Sequence, residues 1–111
     1  MARKEIWFQE IREKKDFAIY AKYKNKLLKT DIITHLQKQN YCISGNETPV
    51  YEIFNNKQIG IDSFYKENGY FIPCELVYYL KHYDIGIPYE YEEYLINECG
   101  LKPKERENGT K

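Results

Sequence analysis

The chain is poor in the residues and motifs that most chemistry uses. It holds two histidines, three cysteines and three arginines among 111 residues. There is no Gly-x-x-x-x-Gly-Lys loop and no Gly-x-Gly-x-x-Gly turn, so nucleotide binding has no support. No serine stands in a Gly-x-Ser-x-Gly elbow. A nucleophile needs a base beside it, and only His35 and His82 offer an imidazole. His35 sits among Ile32, Ile33 and Leu36, and His82 shares a helical face with Glu75 and Tyr78. Both read as structural or surface residues. No apolar run approaches twenty residues, so no membrane span is expected. Arg3, Lys4 and Glu5 are followed by no apolar signal core, and the expected location is the cytoplasm.

Cys42, Cys74 and Cys99 are an odd, widely spaced set and read as reduced thiols. Zinc could in principle recruit Cys42, Cys74, His82 and Cys99. Structural zinc ligands come in closely spaced pairs, and no two of these lie two to five residues apart. No metal and no cofactor is expected. Glu90, Glu92 and Glu93 open the last helical segment, where the helix dipole favours acids without any catalytic role. Paired acids for glycoside chemistry would have to share a cleft, and Glu90 and Glu93 point outward on a helical projection. The expectation is a protein that is not an enzyme.

What the chain does have is tyrosine. There are 12, and eight fall between Tyr65 and Tyr94. A tyrosine ring buries a large apolar face while its hydroxyl still needs a partner. Such rings suit a surface that another macromolecule covers, and they equally suit the fringe of a core. An AT-rich coding bias would raise Lys, Ile, Asn and Tyr together, but it accounts less well for the clustering. Charge is balanced overall, at 17 against 17, and unevenly spread. Residues 1–40 carry ten Lys/Arg and five Asp/Glu, whereas residues 41–101 carry three and ten. The chain is thus dipolar, with a basic first part and an acidic, aromatic second part.

Periodicity predicts mostly helix. Residues 3–15 place Trp7, Phe8 and Ile11 on one helical face. Residues 17–28 fit a strand or a helix, and their Lys and Ala content favours helix. Thr30 or Asp31 can cap a helix that buries Ile32, Ile33 and Leu36. A turn is expected at Ser44-Gly45-Asn46. Thr48 and Pro49 then read as the cap and first turn of a helix ending near Asn55-Asn56, with Val50, Ile53 and Phe54 buried. Asn68-Gly69 ends a short helix from Asp62 or forms the turn of a hairpin. Pro73 opens a helix burying Leu76, Val77, Leu80 and Tyr83. Gly86 and Pro88 separate it from a last helix that buries Tyr91, Leu95 and Cys99 and closes at Gly100. The fold class expected is mainly α, with five or six short helices and at most a small β-hairpin around residues 59–72; α+β is the alternative. Residues 1–101 read as one compact helical domain and 102–111 as a flexible C-terminal tail.

Function is then expected to be contact with another protein. If the last two helices form a hairpin, Tyr78, His82, Tyr89, Glu90 and Glu93 can gather into an acidic tyrosine face. Two side-chain torsions per tyrosine make such a face inexpensive to order. It would dock on a basic protein surface, such as that of a nucleic-acid-processing enzyme. A small, motif-free chain of this kind fits a phage or mobile-element regulator or inhibitor, as anti-CRISPR and anti-restriction proteins are. The alternative is a DNA- or RNA-binding regulator using Lys14, Lys15, Lys22, Lys24, Lys26 and Lys29, interleaved with Phe17, Tyr20 and Tyr23. Against it stand the near-neutral pI and the eight-residue link between helices 31–39 and 48–57, too long for a helix-turn-helix. A homodimer through the tyrosine-rich helices is a further option.

Overall fold

The computed structural model describes residues 5–38 and 42–103, with backbone alone for 42–47. It is an α+β fold of four helices and a four-stranded curled mixed sheet, not the mainly α bundle of five or six helices expected from periodicity. Two expected helices are replaced by extended chain. Near the start, strand β1 (Ile6–Trp7) occupies part of the region read as helix. Ile6 N–H donates to Gly69 O at 2.8 Å and Phe8 N–H to Phe71 O at 2.9 Å. Trp7 points outward while Phe8 is buried, the alternation of a strand. Helix α1 (Lys14–Ala21) starts only where the Asp16 carboxylate accepts the Glu13 N–H at 3.0 Å. That reciprocal cap satisfies a free N–H of the first turn. Helix also stops earlier than the 17–28 reading implied, and residues 22–28 form a loop.

Helix α2 (Lys29–Gln37) buries Ile32, Ile33 and Leu36 as the apolar spacing predicts, although its N-cap is Leu28 and neither Thr30 nor Asp31. The second correction falls on residues 42–57. Strand β2 (Cys42–Tyr51) runs through both the expected turn at 44–46 and the expected Thr48-Pro49 helix start. It pairs antiparallel with β3 (Gln58–Glu67), and the register shifts between Ser44 and Pro49. Proline is tolerated there because β2 is an edge strand and the shift interrupts the ladder. A short apolar run such as Val50–Phe54 does not by itself distinguish helix from strand; long-range pairing with β3 decides it. Asn68 and Gly69 have φ of 50° and 84°, and they join β3 to β4 (Tyr70–Pro73) in a tight two-residue turn. Both central residues with positive φ suit the twist of a hairpin. The hairpin reading of this segment therefore replaces the helical one.

Strand order is β1-β4-β3-β2, with β1 parallel to β4 and the other pairs antiparallel. Helices α3 (Glu75–His82) and α4 (Tyr89–Asn97) complete the chain. Ile72 of the sheet joins Leu36, Leu76, Leu80, Tyr91 and Leu95 in one core. Gly100, at φ 76°, ends α4 in the left-handed conformation that glycine adopts freely. Among the described residues, no helix is long and apolar enough to cross a membrane. The tail reading falls mostly on 104–111, outside the described residues, as does the side chain of Cys42.

Candidate functional site

The five residues expected to form an acidic tyrosine face fall into two groups, Tyr78 with His82 on α3 and Tyr89, Glu90 and Glu93 on α4. Tyr78 is half-buried, and its hydroxyl donates to Glu52 Oε2 at 3.0 Å. His82 is exposed and lies 4.5 Å from the Tyr78 ring. Tyr89 sits elsewhere, edge-on to Tyr23 at 5.0 Å, and its hydroxyl accepts the Lys24 N–H at 3.0 Å. Glu90 and Glu93 are exposed on α4 with no ion-pair partner among the described residues. Neither Tyr78 nor His82 touches Tyr89, Glu90 or Glu93 by ring contact or hydrogen bond. What survives as a patch is the outer side of α4: Tyr89, 49% exposed, followed by Glu90 and Glu93 one turn apart.

Most of the other tyrosines serve the interior. Tyr20, Tyr79 and Tyr91 are at most 1% exposed. Their hydroxyls are nevertheless partnered, as burial requires: Tyr20 donates to Gln9 O, Tyr79 accepts the Ile53 N–H, and Tyr91 donates to Glu67 Oε1. Burial raises the pKa of all three phenols. Two of the three meet backbone groups and Tyr91 meets a carboxylate, while the half-buried Tyr78 and Tyr83 reach Glu52 and Tyr94 reaches Glu67, partners so far away in sequence that no local pattern reveals them.

Those carboxylates form hubs. Glu52, in the turn between β2 and β3, is 1% exposed. It accepts the Phe54 and Asn55 N–H groups at 2.7 and 3.1 Å, and the Tyr83 and Tyr78 hydroxyls at 2.5 and 3.0 Å. Burial opposes its charge, yet these donors outweigh burial and hold its carboxyl below the usual range. The same bond to Glu52 pushes the Tyr83 phenol up to about 12, with burial adding to it. Glu92, grouped above with the helix-dipole acids, is instead buried and accepts the Lys26 and Leu27 N–H groups at 2.6 and 2.9 Å.

A third hub surrounds Arg12. Its guanidinium reaches Glu75 at 2.5 Å, Glu10 at 3.1 Å and Asp62 at 3.2 Å. Glu10 is pushed up to about 7, by partial burial first and by its hydrogen bond with Asp62 second, while Arg12 opposes the rise. A carboxyl near neutrality is a usable general acid. Glu75 Oε1 is buried without a hydrogen-bond partner, and Glu75 borders a recess of about 110 Å³ with Ser63, Cys74 and Tyr78.

The fourth hub is Glu67, at the end of β3. Oε2 lies 2.7 Å from His35 Nε2, 3.0 Å from the Tyr94 hydroxyl and 3.6 Å from Cys99 Sγ. His35 and Cys99 both address the same carboxylate oxygen, which is not the thiol–imidazole pair of a cysteine nucleophile. Burial first, and Glu67 among lesser causes, raises the Cys99 pKa, opposite to what activates a thiol.

A surface that periodicity missed lies on the side of the sheet bearing Trp7. Trp7 is 53% exposed and stacks on Phe71 at 3.9 Å, with Phe64 edge-on at 5.0 Å. Lys66 Nζ lies 5.6 Å from the Phe71 ring centre. The cross-strand register, Trp7 beside Phe71 and Phe71 beside Lys66, places these side chains on one face. The run of three consecutive apolar, β-prone residues Ile6-Trp7-Phe8 was the available signal.

The lysines of the basic stretch are dispersed. Lys14 lies 6.0 Å from the Phe54 ring centre, Lys15 pairs with Glu13 at 3.8 Å, and Lys29 Nζ donates to Tyr83 O at 2.7 Å. Lys22, Lys24 and Lys26 are exposed at the end of α1 and on the loop after it. No family model, no curated protein and no solved structure matches the chain.

Proposed function

We propose that this chain is a small non-enzymatic protein-binding regulator or inhibitor, acting in the cytoplasm and of the type that phages and mobile elements carry. The observation that carries the reading is Trp7: a half-exposed indole stacked on Phe71, beside Phe64, on a face of the sheet. Binding hot spots are enriched in tryptophan, and the Trp7 ring is held in place by Phe71, itself only 3% exposed beneath it. Tyr89, Glu90 and Glu93 on α4 supply a separate acidic patch. Acidic charge of this kind steers a protein towards a basic partner and sets association rate more than affinity. A nucleic-acid-processing enzyme offers such a basic surface.

The test is capture of a partner from host lysate, followed by binding kinetics with two variants. Trp7→Ala should weaken binding at least about tenfold, mainly through faster dissociation. Glu90→Lys with Glu93→Lys should slow association and reduce its salt dependence. Both proteins should keep the wild-type circular dichroism. Unchanged binding in both would remove the reading.

A second reading, DNA or RNA binding, is favoured by one observation, the Lys66 ammonium beside the stacked Trp7 and Phe71 rings. Bases stack on exposed aromatics, and lysine meets phosphate. Single-stranded oligonucleotide binding that falls steeply with salt would support this reading over the first.

A further inference from the structure

We propose that His35, Glu67 and Cys99 form a binding site for a transition-metal ion of the zinc class. The three come from three parts of the fold. His35 is on α2, Glu67 ends β3, and Cys99 lies just beyond α4. Their spacing of 32 and 32 residues hides the set from any motif search. In space, the ligating atoms all lie within 4.8 Å of one another.

The geometry and the donor set agree. Tetrahedral zinc with bonds of about 2.0–2.3 Å holds its ligand atoms roughly 3.3–3.7 Å apart. Cys99 Sγ already stands 3.6 Å from Glu67 Oε2. His35 Nε2, at 2.7 Å from the same oxygen, has to withdraw by less than about 1 Å to match that spacing. One imidazole nitrogen, one carboxylate oxygen and one thiolate sulfur are the mixed donors that borderline-soft zinc accepts. Ionised Glu67 and Cys99 together balance the double positive charge of the ion. Binding displaces the thiol proton of Cys99 to solvent, because the thiolate is the ligand, and His35 ligates through Nε2 as the neutral imidazole that carries its proton on Nδ1.

The surroundings supply the support that metal ligands require. The Tyr91 hydroxyl donates to Glu67 Oε1 at 2.7 Å, the oxygen left over when Oε2 ligates, and so orients the carboxylate. The Tyr94 hydroxyl, now on Oε2, turns to the remaining coordination position or to water. The His35 and Glu67 side chains are 15% and 10% exposed, which leaves an entry path. With three protein ligands, the fourth position is open to water or an external donor. The ion would tie α2, the β3–β4 hairpin and the end of α4 together, so its binding energy adds to folding stability.

The test uses the full chain, metal-free and reduced, titrated with Zn²⁺ against a chromogenic chelator and with Co²⁺ by absorption. We expect one ion per chain, a tetrahedral Co²⁺ spectrum with a thiolate-to-cobalt charge-transfer band, and a higher unfolding midpoint with Zn²⁺. Cys99→Ser should abolish the charge-transfer band, and both Cys99→Ser and His35→Gln should bind Zn²⁺ about 100-fold more weakly or worse. Absence of a thiolate band in the wild-type protein would overturn the proposal even if both variants failed to fold. So would folded variants that bind Zn²⁺ as tightly as the wild type.

Discussion

Two carboxylates make opposite demands on pH. Glu52 is held below the ordinary range by four donors that outweigh its burial. A lowered folded pKa gives stability that is present above the unfolded value, near 4.5, and is lost as pH falls through the folded one. Glu52→Gln should therefore cost about 1–3 kcal/mol at neutral pH, with the gap to wild type narrowing in acid; urea unfolding at pH 7 and pH 3 measures it. Glu10 runs the other way. Its carboxyl, pushed up to about 7, binds more protons folded than unfolded between pH 4.5 and 7, so stability falls as pH rises through that window. Its side chain is 34% exposed and therefore solvent-screened. Glu10→Gln should remove this dependence and gain about 1 kcal/mol or less at pH 8. A wild-type stability that rises between pH 5 and 8, relative to the variant, would contradict the assignment.

At the scale of elements, the joints are made by contacts between distant segments. The 22–28 loop is pinned to the start of α4 by Glu92 and to the link before it by Asn25, whose side chain exchanges two hydrogen bonds with Ile87, at 2.8 and 3.1 Å. Gly86 makes this possible, because a Cβ there would meet Asn25 Oδ1 and lie 2.7 Å from Tyr23 O. The Gly86 N–H also donates to Tyr20 O at 3.0 Å. Gly86→Ala should destabilise the protein by about 1–3 kcal/mol through this overpacking, measured as a lower unfolding midpoint. The sequence assigned Gly86 to a helix stop; its closer constraint is the backbone it faces. The parts of the fold legible in advance were those set by local rules. These are the α2, α3 and α4 apolar stripes, the Asn68-Gly69 turn as one of two options, and the Gly100 cap. Residues 3–15 and 48–57 misled because their apolar spacing fits a helix, while their pairing partners lie from seven to over 60 residues away, on β3, β4 and the turn between them.

On the scale of the whole molecule, carboxylates tie the layers together. Glu52 joins the β2–β3 turn to α3, Glu67 joins the sheet to α2 and α4, Glu75 joins α3 to the segment before α1, and Glu92 joins α4 to the 22–28 loop. Strand β1 has less support, being two residues long and paired on one side only, with β4. Amides of β3 and β4 should exchange with solvent more slowly than those of Ile6 and Phe8, and native-state hydrogen exchange would reveal the order. Exchange at Ile6 and Phe8 as slow as in β3 would mean that the Trp7 face is anchored more firmly than its bonds suggest. The amino-acid sequence alone determined the Gly100 stop of α4, which apolar residues of α2, α3 and α4 seek a core, and that familiar catalytic motifs are missing, because each depends on neighbours within a few residues. Tertiary structure alone decided that two apolar runs become strands, that Tyr78, Tyr83, Tyr91 and Tyr94 turn to the carboxylates of Glu52 and Glu67, and that His35, Glu67 and Cys99 converge. Those outcomes depend on pairing between residues tens of positions apart, where the energy of the partner outweighs local preference.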